Sequence, residues 1–288
     1  MTLKRSQVFW IFVSLCTAIA LLAGCTTLDE KQRAWIFQPS DRTWSGGMAA
    51  AEGMQDVSID FNASADGQPV QLHALWIASD KPDAKAPDGP ILLYLHGARY
   101  NVTGSAPRIR RMQELGFSVL AIDYRGFGKS TPALPSEASA AEDARAAWDW
   151  LAAKYPTRAR YIFGHSLGGP IAISLAADVS DERGTIVEGT FTSMADVVGT
   201  SQWGWLPVSM LITQRFEAVR KVAKIGSPLL VVHGEQDRLI QPALGRKLFE
   251  AAVEPKLFVL VPEGSHHNTN QLGQPLYRQA LAHLMNIH

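Results

Sequence analysis

Ser166 is the residue whose surroundings most clearly suggest chemistry. It is the centre of a Gly-His-Ser-Leu-Gly stretch at positions 164–168, between the apolar run 160–163 and a helix-like stretch near Pro170. A serine on so sharp a strand-to-helix turn holds strained backbone angles, and glycines on either side let the strand and helix approach closely. The turn exposes the hydroxyl and aims the backbone N–H of Leu167 towards an oxyanion. This pattern predicts a nucleophilic serine.

A nucleophilic serine needs a base to accept its proton and an acid to orient that base. Asp237 follows the apolar run 229–232, and the adjacent residues His266 and His267 follow the run 257–261. These positions supply candidates for both roles. Three other carboxylates near strand ends are rivals for the acid: Asp123, Glu188 and Glu235.

The loop after the apolar run 91–95 can supply a second oxyanion donor. It reads Leu-His-Gly-Ala at positions 95–98. Gly97 permits a turn there, and the backbone N–H of Ala98 is the predicted donor beside that of Leu167. The side chain of His96 is expected to hold the loop rather than to react.

The elements that must position these residues alternate between strand-like and helix-like runs. Residues 57–61 and 70–77 alternate apolar and polar side chains as a hairpin does. Six short apolar runs then follow, of the kind buried in parallel sheets: 91–95, 118–122, 161–163, 185–187, 229–232 and 257–261. Between them lie helical stripes, one of them preceded by a capping-box pattern at Ser139 and Glu142. This predicts an α/β fold with a mostly parallel sheet, helices on both faces, and ligands bound beyond the carboxyl ends of the strands.

Five motifs together resemble the serine hydrolases of the α/β-hydrolase superfamily, in its small, cap-poor branch of esterases, acyl hydrolases and aminopeptidase-like proteins. They lie at 95–97, 123–128, 164–169, 191–193 and 233–237. The resemblance implies the α/β-hydrolase fold, with Ser166 as nucleophile and Asp237 as acid. It also implies that neither a metal nor a cofactor is needed. The chain departs from the family pattern at two places. Arg99 and Tyr100 follow Ala98, where the family usually has small residues. The stretch 131–133 has no glycine, although a glycine is usual there.

The resemblance also guides the choice between the adjacent histidines. In similar hydrolases the base tends to follow small residues and to precede an asparagine. His267 directly precedes Asn268, whereas His266 occupies a position where glycine is common. We therefore predict His267 as the base and His266 as a pocket or surface residue.

The segment between Val187 and Leu229 is expected to form a short lid, because it is too short for a separate cap domain. It carries several large apolar side chains that could form a wall over the site: Trp203, Trp205, Leu206, Met210, Leu211 and Phe216.

The N-terminus predicts export and a membrane anchor. Two basic residues precede an apolar run that ends in Leu-Ala-Gly-Cys at positions 22–25, which resembles the bacterial lipobox. In a lipobox the cysteine, here Cys25, is diacylated and becomes the first residue of the mature chain. We therefore expect a signal peptide at 1–24, a tether at 25–55 and a hydrolase domain at 56–288, on a bacterial envelope membrane. The alternative is an uncleaved anchor in which Cys25 is incidental.

Composition excludes some other functions. The formal net charge is zero and there is no long run of like charge, so nothing suggests a nucleic-acid partner. The cluster Arg108, Arg110 and Arg111 is expected to be a solvated helix face. The leading hypothesis is a hydrolase of carboxylic esters or thioesters. An aminopeptidase-like peptidase and a non-catalytic scaffold lipoprotein are the alternatives.

Overall fold

The computed structural model describes residues 24, 26–40, 42, 46–80, 89–200 and 208–287. Its centre is an eight-stranded sheet in the order β1-β2-β4-β3-β5-β6-β7-β8. The strands are β1 (Gln55–Asn62), β2 (Pro69–Ile77), β3 (Ile91–Leu95), β4 (Ser118–Ile122), β5 (Arg160–His165), β6 (Glu182–Glu188), β7 (Leu229–Gly234) and β8 (Lys256–Val261).

The first two strands form the predicted antiparallel hairpin, and β2 also pairs antiparallel with β4. All other neighbouring strands are parallel. The carboxyl ends of β5, β6, β7 and β8 therefore lie side by side. The predicted α/β fold with a mostly parallel sheet is confirmed.

Successive side chains of β3 enter two separate cores, because side chains alternate across a strand. Ile91, Leu93 and Leu95 pack into the larger core, and Leu92 and Tyr94 into the smaller one. Both cores contain fully buried strand residues, which explains why the strands read as continuous apolar runs.

Ten helices accompany the sheet in the described residues. They are α1 (residues 26–37), α2 (Gly47–Ala51), α3 (Ala106–Glu114), α4 (Glu137–Lys154), α5 (Gly168–Asp178), α6 (Met194–Gly199), α7 (Ala218–Lys221), α8 (Pro242–Ala251), α9 (Thr269–Leu272) and α10 (Gln274–Met285). Helices α4, α5 and α8 line the larger core, whereas α3 and α10 line the smaller one.

The cap of α4 lies one turn earlier than the sequence pattern suggested. Ser136 is the N-cap, and its hydroxyl accepts from the Ser139 N–H at 3.1 Å while Ser139 Oγ accepts from the Ser136 N–H at 2.8 Å. The predicted partner Glu142 instead accepts from the Ser64 N–H at 2.6 Å. Two serines thus perform the reciprocal capping that was expected from Ser139 and Glu142.

The residues predicted as a tether pack on the domain. Residues 26–37 form α1, and its Ile36 and Phe37 are buried in the larger core. Gln214 Nε2 donates to Asp29 Oδ1 at 2.8 Å, and Arg33 Nε donates to the Pro135 carbonyl at 3.0 Å. The tether prediction is therefore wrong for this segment, because the apolar end of α1 gains more by burial than a solvated linker would. Cys25 and most of the predicted signal peptide lie outside the described residues.

In the described residues, helices α6 and α7 and two short 3-10 turns lie between β6 and β7, in the place of the predicted short lid. Phe216 is buried in the larger core, whereas Met210 and Leu211 are exposed. Trp203, Trp205 and Leu206 lie outside the described residues.

Candidate active site

Ser166 lies on a tight turn between β5 and α5. Its φ is +54°, the left-handed region that a residue with a side chain rarely adopts. A Cβ at Gly164 would lie 2.3 Å from the Gly168 carbonyl oxygen, and a Cβ at Gly168 would lie 2.1 Å from that of Leu95. Both glycines are therefore required sterically. The Thr190 hydroxyl donates to the Ser166 carbonyl at 3.0 Å and further fixes the turn.

Asp237 follows β7, and its two carboxylate oxygens have different partners. Oδ1 accepts from the backbone N–H groups of Leu239 at 2.9 Å and Ile240 at 2.8 Å, and Oδ2 lies 2.8 Å from His266 Nδ1. Burial alone would raise the pKa of Asp237, but hydrogen bonds from His233 and His266 outweigh it and hold the pKa well below its usual range. The carboxylate is therefore ionised and fixed in orientation.

His266 is the histidine that joins Asp237 to Ser166. Its Nε2 lies 3.0 Å from Ser166 Oγ, on the opposite side of the ring from the contact with Asp237. The ring is buried, whereas His267 is exposed. The prediction that His267 contacts Ser166 is therefore wrong, and His266 occupies the position of the base.

The turn after β8 explains why His266, and not His267, contacts Ser166. Asn268 Oδ1 accepts from the Ser265 N–H at 2.6 Å, and the Thr269 hydroxyl donates to the Ser265 carbonyl at 2.6 Å, so the chain closes tightly before α9. Gly264 packs against Gly234 so closely that a Cβ on Gly234 would lie 2.4 Å from the Gly264 carbonyl oxygen. Small residues thus directly precede His266. That was the sequence signal which should have favoured it over His267.

His165 supports His266 from the strand side. Its Nε2 lies 3.3 Å from the His266 carbonyl oxygen, and the two rings are 5.0 Å apart. Burial, followed by the positive charge of Arg108, holds the pKa of His165 well below its usual value. It is therefore a neutral neighbour at neutral pH, a role that the sequence analysis did not identify.

Both predicted oxyanion donors face the same cavity as Ser166. Ala98 and Leu167 line this cavity, and a Cβ on Gly97 would lie 3.1 Å from Ser166 Cβ. Within the described ranges, neither the Ala98 nor the Leu167 backbone N–H donates a hydrogen bond. Both donors are available to an oxygen bound beside Ser166.

The N-terminal segment holds the loop that carries Ala98. The Arg99 N–H donates to the Phe37 carbonyl at 2.8 Å, and the Ser40 N–H donates to the Tyr100 carbonyl at 3.1 Å. Arg99 and Tyr100 have φ values of +74° and +61°, so these contacts stabilise a strained conformation. The departure from the family pattern after Ala98 thus coincides with the docking site of residues 36–40.

The rival acids have other partners. Arg108 Nε donates to Glu188 Oε1 at 2.8 Å, and the Tyr277 hydroxyl donates to Glu188 Oε2. Asp123 Oδ1 accepts from the Val102 N–H at 2.6 Å, and its Oδ2 lies 2.9 Å from His73 Nδ1. Glu235 accepts from the Glu263 N–H at 3.5 Å. None of these three carboxylates forms a hydrogen bond with His266 in the described part of the chain.

The arginines of α3 are not a solvated face. The Arg108 side chain is only 12% exposed, and pairing with Glu188 outweighs burial to raise its pKa above the usual value. Arg110 donates to the carbonyls of Ala50 and Glu52. The sequence could not indicate these partners, because Glu188 lies 80 residues away in the chain.

A cavity of about 610 Å³ opens above Ser166. One part of its wall is apolar and includes Trp35 and Ile36 of α1. The remaining apolar side chains come from the loop after β6, from α6 and from the loop after Asp237: Phe191, Met194, Val197, Leu239 and Ile240. Among the residues whose structure is described, no group of three or more His, Cys, Asp or Glu side chains is arranged to hold a metal ion.

This geometry agrees with the comparisons to known proteins. The sequence matches the serine aminopeptidase S33 family over residues 86–211, a range that includes Ser166. An uncharacterized protein of Mycobacterium tuberculosis is 36% identical over 277 residues, covering 94% of this chain and 92% of that protein. The chain belongs to the S33 family of α/β hydrolases.

Proteins similar to this chain differ in their described activities. The lysophosphatidylserine lipase ABHD12 of Rattus norvegicus is 30% identical over 195 residues, which cover 61% of this chain and 48% of that protein. An esterase of Pyrococcus furiosus superposes with a TM-score of 0.66 at 19% identity, covering 87% of this chain and 97% of that chain. At that identity the likeness shows the shared fold alone.

Proposed function

We propose that this S33-family hydrolase cleaves carboxylic esters or thioesters through an acyl-enzyme on Ser166. The observation that carries the proposal is the unbroken series of contacts from Ser166 Oγ through His266 to Asp237, at 3.0 Å and 2.8 Å. A serine, a histidine and a carboxylate in this geometry constitute the machinery of acyl transfer.

Each residue then has a defined task. His266 Nε2 takes the hydroxyl proton as Ser166 Oγ attacks the carbonyl carbon, and Asp237 stabilises the resulting imidazolium. The backbone N–H groups of Ala98 and Leu167 stabilise the oxyanion. His266 then protonates the leaving alcohol or thiol, and water, deprotonated by His266, releases the acid.

The cavity favours esters over peptides. An aminopeptidase needs an anionic group to hold the ammonium group of its substrate. No carboxylate lines this cavity among the described residues, whereas three arginines do. Its apolar wall suits an acyl chain, and the lipase activity named for the similar protein of Rattus norvegicus agrees with that preference.

Hydrolysis is tested with a panel of esters, thioesters and aminoacyl amides on the purified protein. We expect turnover of short and medium acyl esters, faster than that of long-chain triglycerides, because the cavity holds one chain of modest length. A fluorophosphonate probe should label the wild type but not Ser166→Ala. An unlabelled wild type would favour the scaffold alternative, and a preference for aminoacyl amides would favour the peptidase.

We further propose that Cys25 carries a lipid that attaches the protein to a bacterial envelope membrane. The lipobox-like residues 22–25 support this, and α1 extends from residue 26. The described residues contain no helix that is long and apolar enough to span a bilayer. A diacylglyceryl anchor with a further acyl chain gives stable membrane binding, whereas one chain gives only marginal binding.

The anchor is tested with Cys25→Ser. We expect this variant to remain unprocessed, with a higher apparent mass and no incorporated palmitate, while the wild type is cleaved and labelled. Cys16→Ser is the matched control, because Cys16 precedes the predicted cleavage site, and it should be processed normally. A Cys25→Ser protein that is cleaved and fractionates like the wild type would disprove the lipobox interpretation.

A further inference from the structure

One wall of the cavity above Ser166 is strongly basic. Arg99 comes from the loop after β3, Arg108 and Arg111 come from α3, and His267 follows β8. We call the three arginines the cationic wall. His267 lines the same cavity, but its lowered pKa leaves it uncharged at neutral pH.

Only one arginine of the cationic wall has an acidic partner. Arg108 pairs with the buried Glu188 at 2.8 Å. Among the described residues, neither Arg99 nor Arg111 forms an ion pair, and no Asp or Glu lines the cavity. The carboxylates of Glu188 and Glu114 offset the Arg111 charge only in part, and Arg99 is exposed. The net charge that faces the cavity is therefore positive.

The titration behaviour of neighbouring groups agrees with this positive potential. Burial and then repulsion from Arg108 lower the pKa of Arg111. Burial also lowers the pKa of His267, with further lowering by His266, Arg108 and Arg99. A half-buried arginine that lies beside another arginine and has no ion pair of its own is stabilised when an anion joins it.

The Arg108 end of the cationic wall lies close to His266, where the leaving alcohol must be protonated. His266 must reach the oxygen of the departing alcohol to protonate it, so that alcohol lies beside His266. The His267 ring is 5.5 Å from the His266 ring, and Arg108 donates to the His267 carbonyl at 3.3 Å. The apolar residues of α6 line the same cavity and are available to the acyl chain.

We propose that the cationic wall binds an anionic group, a phosphate or a carboxylate, on the alcohol portion of the ester substrate. This inference rests on the proposed ester hydrolysis and specifies its substrate class. Arginine suits the task because its guanidinium donates two parallel hydrogen bonds to either group. Arg99 and Arg111 are the specificity-determining residues, and Arg108 is held in place by Glu188.

The test compares two water-soluble esters with the same hexanoyl chain, one of glycerol and one of glycerol 3-phosphate. We expect the wild type to prefer the phosphate ester by about tenfold or more in kcat/KM. The double variant Arg99→Gln/Arg111→Gln should lose most of that preference, mainly through KM, because the charge lies away from the scissile bond. A monoester of hexanoic acid with glycolic acid, compared with its amide, distinguishes carboxylate from phosphate recognition.

Arg110→Gln is the matched control. Arg110 lies on the same helix but donates to the carbonyls of Ala50 and Glu52 instead of lining the cavity. This variant should keep the wild-type ratio between the two glycerol esters. Raising the salt concentration should reduce the preference in the wild type but not in the double variant.

The inference would be overturned if the wild type hydrolysed the neutral ester at the same rate as both anionic esters. It would also be overturned if the double variant kept the preference. Either result would leave the proposed hydrolysis intact. If neither glycerol ester is turned over, the proposed hydrolysis fails for these substrates. Binding of each glycerol ester to Ser166→Ala is then measured by calorimetric titration. Tighter binding of the phosphate ester supports anion binding by the cationic wall, and equal binding of the two esters refutes it.

Discussion

The His266→Ala variant is expected to lose about four to six orders of magnitude in kcat for ester hydrolysis, whereas His267→Ala should lose less than about tenfold. His266 contacts both Ser166 Oγ and Asp237 Oδ2, so its removal leaves the serine hydroxyl without a proton acceptor. His267 is exposed, and its ring lies 5.5 Å from that of His266 without forming the contact with Ser166 Oγ.

The measurement is steady-state hydrolysis of a neutral ester, with thermal unfolding to verify that both variants remain folded. The two variants are matched closely, since each removes one imidazole from adjacent positions of the same turn. A large loss in His267→Ala together with retained activity in His266→Ala would show that the turn rearranges in the working enzyme. Comparable losses in both would show that the two rings act together.

The Glu188→Ala variant is expected to lower the free energy of unfolding by about 3–5 kcal/mol. Glu188 is fully buried and accepts hydrogen bonds from Arg108 and Tyr277. Its removal leaves the buried Arg108 charge without an acidic partner, which costs far more than the pair contributes. The effect is measured by denaturant unfolding of purified protein.

The control is the double variant Arg108→Met/Glu188→Leu, which replaces the ion pair with apolar side chains. It should recover most of the lost stability, because no buried charge is left unpaired. A loss below about 1 kcal/mol in Glu188→Ala would mean that water reaches Arg108 and solvates it. A double variant as unstable as the single one would assign the effect to packing instead of charge.

The sheet could be predicted from sequence because its parallel strands are buried on both faces and read as short apolar runs. The positions of Ser166 and Asp237 followed from the same runs, since each residue comes just after the carboxyl end of a strand. The apolar runs alone could not choose between His266 and His267, and the small residues before His266 were the one sequence signal that favoured it. The direction of each side chain is set by a turn that depends on Asn268 and on the packing of Gly264 against Gly234.

Two other features depended on partners that are distant in the chain. Helix α1 has few apolar residues and gains its stability by docking Ile36 and Phe37 into the core, so local composition suggested a linker. The sequence pattern around Arg108 is that of a surface residue, but in the folded structure β6 and α10 place Glu188 and Tyr277 beside it. Contacts of this kind leave no local periodicity in the sequence.

If Cys25 is lipidated as proposed, helix α1 would also limit how far Ser166 lies from a bilayer. Trp35 borders the cavity nine residues after Thr26, about 14 Å along the helix axis. With Cys25 lipidated, the same rigid element would connect the acyl anchor to the cavity wall, and the cavity entrance could not rotate freely on a tether. The enzyme would then search a membrane plane instead of a volume. Its rate would follow the surface density of substrate and fall when the bilayer is diluted with inert lipid, even at constant bulk concentration.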